Sequence, residues 1–392
     1  MEIRSNLALA GKVCLMTILV VGLTFFGCAG IRASPEGGSG GTIADGTLYI
    51  GSMAGKLVAV NTSDGSRLWA EPLKGTGSAG GLGCAPASTM VAIYGSPAVD
   101  GNLVYVGGYN GKIYEFDSST HLSKDRYPND KSGGPIIGGP LVAAGKVYLG
   151  SSDGMVYALD AVSLDKVWEF PSEGEKIGKI WSTPAIDGDT LYIGSFDKKL
   201  YAIDTATGKE KWEKPFETDG AIISTPLVYD NTVYIGSFDR HLYAVNATTG
   251  KQIWQFPAND EDKNRPSSWF WARPVAYNNV IYAACLDHKV YALDAKTGDK
   301  INEFDLGSPI SSSPVLVDSS IIVASEAGKV YSIDTINHQK TELADLKEKV
   351  YAPLAGCLIC TSGGVVFIYT GGQNLYALSA ESGAKLWSLP LK

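Results

Sequence analysis

Eight copies of one short-stranded unit predict an all-β fold, a single eight-bladed β-propeller of four-stranded antiparallel blades. Three observations carry this expectation. Short runs rich in Ile, Tyr and Leu alternate with Gly and Asp turns, which is a hairpin pattern and not a helical one. The unit recurs, with Asn61, Asp117, Asp160, Asp204, Asn246, Asp294, Asp334 and Ser379 in equivalent places, at spacings of 56, 43, 44, 42, 48, 40 and 45 residues. Each copy holds four strands, and such small sheets bury both faces only by packing on one another and closing the array.

The chain begins outside this pattern. Arg4 and Lys12 precede an apolar run from Val13 to Phe26. A basic start and a short apolar stretch read as an export signal, too short for a comfortable membrane span. Thr24-Phe25-Phe26-Gly27-Cys28 resembles a bacterial lipobox, with Phe25 where Leu is usual. The expected organisation is a signal over residues 1–27, lipidation at Cys28, a flexible tether over 28–41 and the propeller over 42–392. The Gly-Gly-Ser-Gly-Gly run from Gly37 to Gly41 supports the tether. The chain is thus expected to be exported and lipid-anchored at the cell membrane or outer membrane, facing the periplasm or exterior. A formal charge of −8 argues against a nucleic-acid footprint, and a closed ring is expected to be monomeric.

The stretch from Trp181 to Trp212 is the cleanest unit. Thr183 to Ile186 is expected as the first strand, Leu191 to Ser195 as the second, Leu200 to Asp204 as the third, with Lys209 to Trp212 starting the fourth. Asp187-Gly188, Asp197-Lys198 and Thr207-Gly208 supply the turns. First strands open on Pro97, Pro140, Pro184, Pro226, Pro274 and Pro314, while Gly41 and Ile359 take that place in blades one and eight. Proline cannot donate to a ladder, which suits an innermost strand with one free edge on the channel. Trp69, Trp168, Trp212, Trp254 and Trp387 follow the third-to-fourth turns. Ile301 is read in that place in blade six, and blades two and seven lack the motif. Residues 118–135 are read as an irregular turn of blade two.

The run Ala202-Ile203-Asp204-Thr205-Ala206-Thr207-Gly208-Lys209-Glu210-Lys211-Trp212 resembles the tryptophan-docking motif of the quinoprotein (PQQ) propeller repeats. The resemblance covers residues 42–391. It implies that the five tryptophans stack between adjacent blades, and it brings PQQ with calcium into view as a cofactor. Quinoprotein dehydrogenases carry a vicinal Cys-Cys pair, and this sequence has none. In length, lipobox and repeat number the chain also resembles the propeller lipoprotein family of the outer-membrane assembly machine. That family closes its ring with an N-terminal strand in the last blade. Here Ala384 to Leu389 reads as the last blade's own fourth strand, so closure is expected between whole blades.

Strand direction places first-strand starts, second-to-third turns and interblade links at one end of the ring. Irregular loops on a regular scaffold are where binding usually sits. The links at residues 70–94 and 257–270 are the irregular ones, the latter carrying an acidic run, Asp260-Glu261-Asp262. Candidate ligand- or partner-binding residues at that mouth are Trp181, Trp269, Trp271, Arg240, Arg273, Asp197, Asp239 and Asp287. Aromatic faces with Arg and Asp suit a planar ligand or a peptide segment. The competing readings are interblade packing for the tryptophans and backbone capping for the aspartates.

No nucleophile elbow, His-Glu-x-x-His or phosphate loop occurs. The four histidines, His121, His241, His288 and His338, make a His-rich metal site unexpected. His241 and His288 are read as matching surface positions on successive blades. Cys357 and Cys360 fall on one strand with opposite facing, too far apart for a disulfide. Cys84 and Cys285 map to the mouth end, as a pair or as buried free thiols. Three functions are therefore in view. They are a non-catalytic scaffold binding a protein or envelope ligand, a PQQ-dependent dehydrogenase, and an outer-membrane assembly accessory lipoprotein.

Overall fold

The computed structural model describes residues 38–74, 90–126, 133–172, 176–259, 265–350 and 359–391. The segment read as an export signal, Cys28, most of the segment read as a tether, Cys84, Cys357 and the run from Asp260 to Asn264 lie outside the described residues. Within them the fold is all β, with eight four-stranded antiparallel sheets. The innermost strands are Gly41–Ala44, Ala98–Asp100, Leu141–Ala143, Ala185–Asp187, Leu227–Tyr229, Val275–Tyr277, Val315–Val317 and Ile359–Ser362. The outermost are Arg67–Pro72, Ser123–Arg126, Lys166–Phe170, Phe216–Glu217, Gln252–Phe256, Lys300–Asp305, Lys340–Asp345 and Lys385–Pro390. Each blade is a meander in which consecutive strands pair. The two middle strands bury side chains on both faces, as in Thr190–Gly194, because a neighbouring blade covers each side.

The innermost strands begin just after the prolines, and that of blade four is Ala185–Asp187, starting two residues later and ending one later than the Thr183 to Ile186 read from the sequence. Two residues before the proline, a buried serine clamps the end of the second strand. Ser182 Oγ donates to the Gly194 carbonyl (2.8 Å), and Ser224 and Ser312 do the same in blades five and seven. Ser39 is the blade-one counterpart: it is fully buried and its Oγ accepts from the Gly51 amide (2.7 Å). The end of the segment read as a tether is therefore already part of blade one.

Three local readings are corrected. Blade four's fourth strand is Phe216–Glu217, not Lys209 to Trp212. Leu200 pairs with Phe216, four residues past Trp212, whereas Leu242 pairs with Phe256, two past Trp254. Glu213 and Lys214 are the two extra residues, and Pro215, lacking an amide hydrogen, follows them. Residues 123–126, read as turn, form blade two's fourth strand. In blade six the docking register belongs to Asn302, which faces Ala292 as Trp254 faces Ala244. Ile301 is the exposed residue before it.

The docking tryptophans hold neighbouring blades together. Trp168, Trp212 and Trp254 donate their Nε1–H to the carbonyls of Thr205, Ala247 and Ala295 on the next blade (3.0, 2.9 and 3.0 Å). Each indole lies on that blade's turn glycine. Gly208 has φ 71°, and a Cβ there would sit 2.7 Å from the Trp168 ring, so both backbone and space demand glycine. Trp387 makes the same contact across the closure, donating to Thr62 (3.2 Å) over Gly65, and Arg67 donates to the Pro390 carbonyl (2.6 Å). Closure is between whole blades, with no shared strand.

At two junctions a histidine stands in the seat. In blade seven His338 stands in the turn place of Gly208, opposite blade six's Asn302, and in blade two His121 lies 5.4 Å from Trp69. Blade seven alone has a tryptophan at neither junction, since Asn302 precedes it and Thr341 holds its own docking register. Tyr282 at the six–seven junction is fully buried with its hydroxyl unpartnered, whereas Tyr234 at the five–six junction donates to Ala295 (3.0 Å). Asn302→Trp alone is expected to lower stability, because His338 holds the seat. Asn302→Trp with His338→Gly is expected to raise it by about 1–3 kcal/mol. Thermal melts of both variants check this.

Candidate functional site

The mouth-end turns are built by one recurring hydrogen-bond set. In blades three to six an aspartate opens the turn: Asp153, Asp197, Asp239 and Asp287. Its Oδ1 accepts the amide two residues on (3.1, 3.2, 2.9 and 3.3 Å), and its Oδ2 accepts the hydroxyl of a tyrosine four residues on (2.8, 2.5, 2.9 and 2.7 Å). Burial and the facing carboxylates push the phenols of Tyr201 and Tyr291 far above the ordinary tyrosine range. Blade eight has no carboxylate in its turn. Glu348, from the preceding link, reaches in instead and accepts from Tyr376 (2.9 Å), Asn374 (2.8 Å) and Thr370. The candidate aspartates Asp197, Asp239 and Asp287 thus have both oxygens engaged within the fold.

Each interblade link runs beside the turn of the blade it enters. The Phe196 amide donates to Lys179 (2.9 Å), Phe238 to Ala221 (3.0 Å) and Leu286 to Trp269 (3.0 Å). This brings link and turn aromatics together across blades four to six. Trp181 meets Phe196 edge-on at 4.5 Å and donates to Ser152 Oγ on blade three (3.2 Å). Phe196 meets Phe238 at 6.4 Å. Phe238 stacks against Trp269 at 4.5 Å and Trp271 at 5.7 Å, nearly parallel to both. Trp269 is 39% exposed, and Trp181, Trp271, Phe196 and Phe238 are half-buried. The aromatic side chains named in the sequence are therefore one chain of contacts, completed by Phe196 and Phe238. Their place directly before the turn aspartate was the available sequence signal.

Arg273 is exposed, and its amide donates to Ser313 Oγ (3.1 Å). Arg240 is half-buried in the turn after Asp239. The two histidines are not in register. His241 aligns with Lys289 and is buried, its Nδ1 3.4 Å from Asp239 Oδ1. His288 aligns with Arg240 and is exposed. Cys285 is a buried free thiol within 3.4 Å of the Ser268 carbonyl, and burial pushes its pKa far up.

Among the described residues, the mouth does not fit a calcium–quinone pair. Holding calcium needs several carboxylate or carbonyl oxygens turned inward together. The mouth aspartates point into their own turns, and no group of three or more His, Cys, Asp or Glu gathers among the described residues. What the mouth offers is an aromatic surface edged by basic side chains, suited to holding an apolar segment of another molecule.

Known proteins bear on this arrangement in three ways. No curated protein matches the chain in sequence. In structure the chain is similar to BamB from Moraxella catarrhalis, with a TM-score of 0.64 and 19% identity over 87% of this chain and 93% of that one. It is similar also to the computationally designed Ika8 protein, with a TM-score of 0.67 and 13% identity over 91% and 97%. These likenesses speak to the fold alone. A family model described as outer membrane protein assembly factor BamB matches residues 36–169 and 165–350. With most of its length so matched, the chain belongs to the BamB-like family of PQQ-repeat propellers.

Proposed function

We propose that this chain is an exported, lipid-anchored and non-catalytic propeller that docks a protein partner at its mouth end, as an accessory in outer-membrane protein assembly. The observation that carries the docking reading is the chain of contacts from Trp181 through Phe196 and Phe238 to Trp269 and Trp271. An indole as exposed as Trp269, stacked on a second ring, is a rigid apolar anchor with little entropy left to lose on binding. Family membership supports the assembly role and an envelope location, and the lipobox-like segment ending in Cys28 supports the anchor.

The test is site-specific photocrosslinking in intact cells. A crosslinker at position 269 should yield a discrete adduct with a component of the outer-membrane assembly machinery. One at Ile336, 75% exposed on a turn at the opposite end, should not. Equal yields at both positions, or none at 269, would remove the docking reading. Cys28→Ser should move the chain from the membrane to the soluble fraction, and continued membrane retention would remove the anchor.

A further inference from the structure

The second-to-third turn requires a left-handed residue directly after the aspartate position. Glycine fills it in four blades: Gly55, Gly111, Gly154 and Gly328, with φ of 69°, 79°, 82° and 89°. Blades four, five, six and eight instead carry Lys198, Arg240, His288 and Gln373 there, with φ of 73°, 75°, 81° and 64°. A side chain with a Cβ pays steric strain in this region, on the order of 1 kcal/mol. The fold does not ask for these side chains, since glycine makes the same turn elsewhere in the ring. The three of these four that are basic are consecutive and fall on the three blades that carry the aromatic chain, while the fourth, Gln373 of blade eight, is uncharged.

From this coincidence we infer that the mouth selects partner segments in which carboxylates alternate with aromatic or large aliphatic side chains. The inference rests on the docking reading above and gives it a charge rule. The aromatic chain takes the apolar side chains, while Lys198 and Arg240, joined by His288 when protonated, meet the carboxylates at the edge. The turn aspartates keep their charge, but their oxygens are turned into tyrosine and amide bonds and not toward these side chains. A chain of net charge −8 that keeps basic side chains in strained places on one patch has complementarity to acid there.

The experiment is fluorescence anisotropy with the full chain and a labelled peptide alternating Glu or Asp with Phe or Leu. A second peptide carries Lys in every acidic place. The acidic peptide should bind, more weakly as salt is raised, and the basic one should not. The triple variant Lys198→Gly, Arg240→Gly, His288→Gly should bind the acidic peptide about tenfold more weakly while melting at the same or a higher temperature. That split separates a binding role from a structural one. Equal binding of both peptides, unchanged binding by the triple variant, or no binding of the acidic peptide by the natural chain overturns the charge rule. Crosslinking at position 269 judges the docking face independently of these results.

Discussion

Trp212→Ala should destabilise the propeller by about 3–5 kcal/mol. The indole is 5% exposed, lies on Gly250 and meets the Tyr192 ring at 5.8 Å. Two sheets hold the site apart from either side, so little collapse into the vacated space is expected. The lost hydrogen bond contributes little to this figure. Tyr192 also donates to the Ala247 carbonyl (3.0 Å), so the acceptor keeps a partner when the indole is gone. The effect is therefore one of packing, read as a lower denaturation midpoint in guanidinium with an unchanged slope. A loss below ~1 kcal/mol would mean that the docking contacts are not what holds adjacent blades together.

Asp239→Ala is the second large effect expected, at roughly 2–4 kcal/mol. The carboxylate is only 7% exposed. It accepts the Tyr243 hydroxyl (2.9 Å) and the amides of His241 (2.9 Å) and Asp219 (3.0 Å). Alanine removes the acceptor of the tyrosine hydroxyl and of the His241 and Asp219 amides. The same contacts set a pH dependence. Burial by itself would raise the Asp239 pKa, but hydrogen bonds from His241, Tyr243 and Ser237 outweigh it and hold the group below the ordinary value of 3.8. A carboxylate depressed in the folded state stabilises fully above its unfolded value, and that contribution is lost as pH falls through the folded one. The Asp117, Asp204, Asp294 and Asp334 carboxylates, at the opposite end, are depressed the same way by their own turns, Asp117 to about 2. Unfolding curves should therefore show stability falling steadily below pH 4, and Asp239→Asn should flatten part of that fall. A natural chain equally stable at pH 3 and pH 6 would contradict this reading.

The repeat was legible because each unit announces its turns chemically. Proline, Asp-Gly and Thr-Gly each require a particular backbone, so eight blades and their strand order follow from the letters. The places that went astray are those where a copy departs from the pattern. Glu213 and Lys214 look like strand until the pairing of Leu200 with Phe216 shows them to be extra. Ile301 looks like the docking residue because it is apolar, yet the register gives that place to Asn302. At the mouth, Trp181 and Trp271 stood out by lying beyond the docking motif. Phe196 and Phe238 were legible as parts of the mouth turns, but their stacking on the tryptophans shows only once their neighbours in space are known. The aspartates looked like ligands for the opposite reason, since a tyrosine four residues on is invisible as a partner until the strand turns it back.

Closure by whole blades gives the ring no privileged seam. The Trp387 contact with Thr62 repeats the Trp168 contact with Thr205 across a boundary the chain does not cross. Every blade is hydrogen-bonded from four consecutive strands, so any of the seven links is topologically equivalent to the break between blade eight and blade one. A ring made this way is modular in heredity as well as in shape. Duplication or loss of one coding unit adds or removes a complete blade and leaves no orphaned strand, and the order of blades can be rotated without redesigning any of them.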